Sequence, residues 1–193
     1  MIRLGLTGSV GMGKSTTAQF FRDFGIPVID ADAIVHDLYR GEAVRSIEAA
    51  FLGTTVNGEV DRGRLSGRLA QDPSLFKTLE SIVHPMVWRK EKEALERLEH
   101  GGHPIVVLDI PLLFENGAEA RVDKVVVVSA DADVQKSRVM ARPGMTAEKF
   151  AMILSRQMPD SEKRRRADYV IDTGLGLDHA RGAVAAIIED LKG

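Results

Sequence analysis

The chain contains no cysteine, so it has no disulfide framework and no thiol-based metal or redox site. It also lacks an excess of charge of either sign: 26 basic against 28 acidic side chains leave a net charge of −2. So weak a field does not draw in nucleic acid or an anionic membrane, and any phosphate recognition must be local. No apolar run approaches the roughly 20 residues of a membrane-spanning helix. The opening M-I-R-L-G-L-T-G lacks the long apolar core of a secretory signal. There is no internal repeat, no low-complexity tract and no interdomain linker. Together these absences read as a soluble, cytoplasmic protein with no nucleic-acid, membrane or evident protein partner.

What is present is a chain of 193 residues, 44% of them hydrophobic, enough to build a core in one compact domain. Short apolar runs at Ile2 to Thr7, Pro27 to Asp30, Pro104 to Asp109, Lys124 to Ser129 and Tyr169 to Asp172 read as five strands. Helical patterns at Lys14 to Phe24, Asp32 to Tyr39, Ala132 to Arg142, Ala147 to Gln157 and Leu177 to Leu191 alternate with them. Nearly continuous apolar strands between helices predict an α/β fold with a five-stranded parallel sheet covered on both faces. From Glu42 to Glu99 there are helical patterns and polar turns but no strong strand. The best helices there, within Leu75 to Leu98, break near Pro85. This stretch is too long for a simple crossover and reads as a helical insert.

G-S-V-G-M-G-K-S, Gly8 to Ser15, fits G-x-x-x-x-G-K-[ST] and sits between a predicted strand and helix. Glycines let the backbone wrap closely and aim successive N–H groups at phosphate oxygens. The helix starting at Lys14 adds its positive end, Lys14 adds a full charge, and Ser15 offers a hydroxyl to Mg²⁺. Gly8, Gly11, Met12, Gly13, Lys14, Ser15 and Thr16 therefore form the expected ATP site, with Mg²⁺ as cofactor. No N-K-x-D guanine-reading motif occurs, which argues against a GTPase.

Asp30 ends the second strand and Asp32 follows it, at the end of the sheet where ligands gather. An anionic phosphate acceptor would be repelled there. A neutral hydroxyl could instead be oriented and deprotonated by a carboxylate. Asp32, beyond the strand, is the expected base. Asp30 supports Mg²⁺ or the fold, and either acid could simply cap the next helix.

These segments, together with H-P at His84 and Pro85, D-I-P-L-L-F-E at Asp109 to Glu115, and A-D-Y-V-I-D-T-G at Ala167 to Gly174, resemble dephospho-CoA kinase in order over nearly the whole chain. The resemblance implies a P-loop NTPase core, a helical acceptor region and a mobile lid. It implies transfer of the ATP γ-phosphate to the ribose 3′-hydroxyl of dephospho-CoA, the last step of coenzyme A synthesis. The corresponding regions are a core of about 1–40, 103–137 and 167–193, an acceptor insert of about 41–102, and a lid of about 138–166. Kinases for another hydroxyl acceptor and nucleotide-dependent switches are the alternatives.

Asp109 could hold Mg²⁺ through water or cap the following turn. Leu112, Leu113 and Phe114 could be plain core, but the resemblance sets them at the acceptor pocket, with Glu115 structural. The resemblance also brings His84 to the acceptor; as a lone histidine it could equally be structural. His36, His100, His103 and His179 show no metal spacing. Arg138 and Arg142 share a helix face before the turn R-P-G-M, so a closing lid would bring arginine onto the transferring phosphate. A solvated face is the bland alternative. The family often carries another arginine a few residues before the glutamine matching Gln157; here Ile153 stands there and Arg156 follows a turn later. K-R-R-R, Lys163 to Arg166, reads as a solvated helix face and Trp88 as packing. Asp172 to Leu175 follows the last strand, where related kinases pass the adenine. Arg62, Arg64, Arg68 and Arg89 are candidates for the acceptor pyrophosphate, and the sequence does not choose among them.

Overall fold

The computed structural model describes residues 1–193, which form two packed units. The first, residues 1–29 and 98–193, is a sheet unit; the second, residues 30–97, is helical.

The strands of the sheet are β1 (Ile2–Thr7), β2 (Val28–Asp30), β5 (Ile105–Asp109), β6 (Lys124–Ser129) and β7 (Tyr169–Asp172), in the order β2-β5-β1-β6-β7. They form the parallel five-stranded sheet that their apolar runs predict, and β5 is buried at every position. Helix α1 (Lys14–Asp23) packs on β1, β5 and α9 (Leu177–Lys192), and α9 also covers β7. Leu4, Leu6, Phe21, Val107, Val126, Ile171 and Val184 share one core, each 0% exposed. Burying a side chain of that size is worth about 1.5–3 kcal/mol. Two glycines make the close approaches: a Cβ on Gly5 would stand 2.6 Å from Leu113 Cδ1, and one on Gly8 would stand 2.3 Å from Val128 Cγ2. Helices α6 (Ala132–Met140), α7 (Ala147–Ser155) and α8 (Asp160–Arg166) complete this unit.

The helical unit holds α2 (Ala31–Leu38), α3 (Val44–Ala50), α4 (Arg62–Gln71) and most of α5 (Leu75–His100) around a second core that includes Leu38, Ile47, Phe51, Leu65, Leu69, Val83 and Val87. Two expectations change here. The helix does not break at Pro85; α5 runs through it. Proline removes a hydrogen bond at a cost of about 3 kcal/mol. Val83 and Val87, one turn apart, stay buried on either side of it and anchor the helix, while Pro85 faces solvent. A small hairpin is also present, β3 (Thr55–Val56) with β4 (Glu59–Val60). Its turn is Asn57-Gly58, with φ of 51° and 81°. The Asn-Gly pair was its readable signal.

The basic run and the tryptophan differ as well. Arg164, Arg165 and Arg166 are exposed, but Lys163 is 0% exposed and ion-pairs with Glu115 at 2.9 Å. The half-buried Glu115 carboxylate, which also accepts the Met158 N–H at 2.7 Å, turns Lys163 inward. Trp88 is 53% exposed; it lies about 100° around α5 from buried Val87 and rests on His84, ring centroids 5.9 Å apart.

Candidate active site

In the sheet unit, β1 runs straight into the phosphate loop. Gly11 and Gly13 carry φ of 79° and 87°, which L side chains rarely adopt, and Gly13 is the residue from which α1 starts. The rim of the loop is held on both sides. Gln135 Nε2 donates to the Val10 carbonyl at 2.8 Å, and the Val10 N–H donates to Gln157 Oε1 at 3.1 Å. Gln135 is 6% exposed and was not singled out from the sequence; a polar residue on the inward face of α6 beside buried Val139 was its only signal.

The β1–β5 register sets Leu6 beside Asp109, and the Asp109 carboxylate reaches Lys14 Nζ at 2.5 Å. Asp109 is 3% exposed, so the lysine supplies the charge partner that a buried carboxylate needs. Ser15 and Thr16 are more open, in the first turn of α1, while Met12 is buried and offers only its backbone. No cluster of three or more acidic, histidine or cysteine side chains could hold a metal unaided. A Ser15 hydroxyl and an Asp109 carboxylate are nonetheless oxygen ligands of the kind Mg²⁺ uses when phosphates and water complete its shell.

Arg138 is committed to the protein itself. It donates to the Thr173 hydroxyl and the Thr173 carbonyl, both at 2.8 Å, and so ties α6 to the turn after β7. Arg138 and Arg142 both line a cavity of about 220 Å³ beside Gly11, Gly13, Thr16, Thr173 and Leu177. The turn after β7 thus does border the loop's cavity. Leu113 and Phe114 are buried and Leu112 half-buried; the Arg166 guanidinium lies over the Phe114 ring at 5.9 Å.

In the helical unit, Asp30 Oδ1 accepts the Ala33 N–H at 3.0 Å and so caps α2. Asp32, in the first turn of that helix, is exposed. It lines a cavity of about 440 Å³ whose other walls include Val35, Tyr39, Arg62, Leu65 and Leu69. Burial pushes the Tyr39 phenol above its ordinary value, against the opposing charge of Arg62. His84 sits on α5 against Trp88 and is not among the residues lining this cavity. No helix of the chain is long and apolar enough to cross a membrane.

The family model for dephospho-CoA kinase matches residues 2–178. A protein of Rhizobium meliloti named dephospho-CoA kinase is 58% identical over 100% of this chain and 99% of its own length. A crystal structure from Thermus thermophilus is 38% identical with a TM-score of 0.87, covering 100% of this chain and 98% of that one. A dephospho-CoA kinase from Campylobacter jejuni, at 24% identity and a TM-score of 0.69 over 99% and 98% of the two chains, shares the fold.

Proposed function

The chain belongs to the dephospho-CoA kinase family, and from that premise we infer that it transfers the γ-phosphoryl group of ATP to the ribose 3′-hydroxyl of dephospho-CoA, giving CoA and ADP. The observation that carries this reading is the match over the whole length of a chain whose phosphate loop is complete and braced, with Lys14 in place. We assign the acceptor to the helical region of about 41–102 together with Asp32, and a lid to about 138–166. Since ATP is the phosphoryl donor, we assign the reaction to the cytoplasm.

The loop amides, Lys14 and the start of α1 hold the triphosphate. Holding it needs no rearrangement of the rim, because Gln135 and Gln157 already fix Val10. Lys14 leaves Asp109 for the phosphate oxygens. Ser15 and Asp109 would hold Mg²⁺, which neutralises phosphate charge when bound. Asp32 accepts the proton of the 3′-hydroxyl as its oxygen attacks the γ-phosphorus. The bond to the β–γ bridging oxygen breaks and ADP departs. Arg142, which lines the loop's cavity and is not tied down as Arg138 is, moves onto the transferring group. His84, Leu112, Leu113 and Phe114 border the acceptor, an assignment that rests on the family resemblance.

The test is ADP release from ATP and Mg²⁺ with dephospho-CoA, shikimate, gluconate, adenosine or no acceptor, and the product identified by mass spectrometry. Turnover confined to dephospho-CoA, with CoA formed, is the expected result. Turnover on another acceptor would give that reading its substrate. Slow hydrolysis indifferent to every acceptor would favour a nucleotide switch.

A further inference from the structure

Four arginines of the helical unit are candidates for an acceptor phosphate, and their surroundings distinguish them. Arg64 donates to the Gly53 carbonyl at 3.3 Å and stands 3.9 Å from Asp61. Arg68 donates to the Leu52 carbonyl at 2.9 Å. Arg89 is paired with Glu42 and Glu93. Each of those three meets a carboxylate or a carbonyl. Arg62 alone meets neither: its partners are the Tyr39 ring, 5.7 Å from the guanidinium carbon, and Nδ1 of His36 at 3.1 Å. Arg62 is also the only one of the four that lines the cavity shared with Asp32.

The His36 contact has one chemical reading. Arginine only donates and stays charged, so Nδ1 must accept and the imidazole proton must sit on Nε2. His36 in that state adds no charge. It fixes the guanidinium over the Tyr39 ring and leaves its full positive charge for a ligand. A carboxylate at that position would hold Arg62 equally well but cancel the charge. His36 lies four residues after Asp32, on the same face of α2.

We propose that Arg62 binds the diphosphate of the acceptor and that neutral His36 is its positioning residue. This rests on the acceptor read in the preceding subsection, and it fits that molecule's chemistry. The ribose that presents the 3′-hydroxyl carries the diphosphate at its 5′ carbon, so one cavity needs one acid and one uncancelled cation. Asp32 and Arg62 are that pair.

The experiment compares wild type with Arg62→Ala, His36→Ala, His36→Asn, His36→Gln and the double variant Arg62→Ala/His36→Ala. It reads kcat and KM for dephospho-CoA and for ATP, with Tm for each protein. Arg62→Ala is expected to raise KM for dephospho-CoA about 10–100-fold, the scale of a charged hydrogen bond, leaving KM for ATP within about twofold. His36→Ala should raise it about 2–10-fold. His36→Asn, whose Oδ1 sits where Nδ1 does, should restore it, and His36→Gln, whose oxygen lies further out, should not. The double variant should be no worse than Arg62→Ala alone, because the histidine acts only through the arginine. A simple tie between α2 and α4 would instead lower Tm in every variant and leave KM unchanged. That result, or equal losses for both substrates, or His36→Ala acting fully in the Arg62→Ala background, would overturn the proposal. In all of these cases wild type still turns over dephospho-CoA. Wild type that does not would remove the underlying reading, and this inference with it.

Discussion

In the sheet unit Lys14 meets a buried carboxylate at 2.5 Å, whereas in the helical unit Arg62 meets the His36 imidazole at 3.1 Å beside a cavity. The difference extends beyond the two cations. In the sheet unit Arg138 is spent on Thr173, Lys163 is paired with Glu115, and Gln135 and Gln157 are both spent on Val10. In the helical unit Asp32 is exposed and the Asp30 carboxylate does no more than cap α2. A loop that grips phosphates through many backbone amides needs its shape fixed, and interlocked polar groups fix it. An acceptor pocket that supplies one base and one cation needs those charges uncancelled. The comparison teaches that a phosphate loop can be held in shape by interlocked polar groups, while a second cavity leaves an acid and a cation, Asp32 and Arg62, without an ion pair.

That contrast can be broken most forcefully at Asp32. Asp32→Asn should lower kcat about 10²–10⁴-fold, as loss of a general base does, with Tm unchanged because the side chain is exposed. A fall in Tm that matched the loss of activity would place Asp32 among the structural groups. Next comes Glu115. Glu115→Ala leaves Lys163 buried without its partner and should cost about 3–5 kcal/mol in urea unfolding, with Lys163→Met/Glu115→Leu recovering most of it. Undiminished stability in the single variant would show that the pair is not holding the unit.

A smaller effect is expected at the loop rim. Gln157→Ala frees the Val10 N–H and should raise KM for ATP about 2–10-fold, with KM for dephospho-CoA unmoved. The smallest concerns Tyr169, whose phenol is pushed up to about 12, first by its 2.5 Å hydrogen bond to Asp190 and then by burial and nearby carboxylates. Because the folded pKa lies above the ordinary value near 10, this contribution is complete below pH about 10 and fades as pH rises through about 12. Tyr169→Phe should remove that alkaline decline and change stability by less than about 1 kcal/mol, since the pair is exposed.

How far the sequence alone reached follows the same division. Strands β1, β6 and β7 were legible to the residue, since each is a short apolar run bounded by polar or glycine residues. The phosphate loop was legible because its chemistry forces a fixed spacing. Continuation of α5 through Pro85 was not legible, because the valines that hold it gain their energy from tertiary packing that local propensity ignores. Lys163 was misread for a related reason: within K-R-R-R nothing local marks the one side chain that turns inward to the Glu115 carboxylate. His36 was passed over as a histidine without metal spacing, and Arg62 could not be chosen from four arginines. Only the folded contacts show which of the four meets neither a carboxylate nor a carbonyl.

The division of labour is tested most directly by titration calorimetry of ATP alone and dephospho-CoA alone, each into wild type, Lys14→Met and Arg62→Ala. The account predicts a crossed result. Lys14→Met should lose ATP affinity by about tenfold or more and keep dephospho-CoA, and Arg62→Ala should do the reverse. Both variants losing both ligands, or Arg62→Ala losing ATP alone, would contradict it.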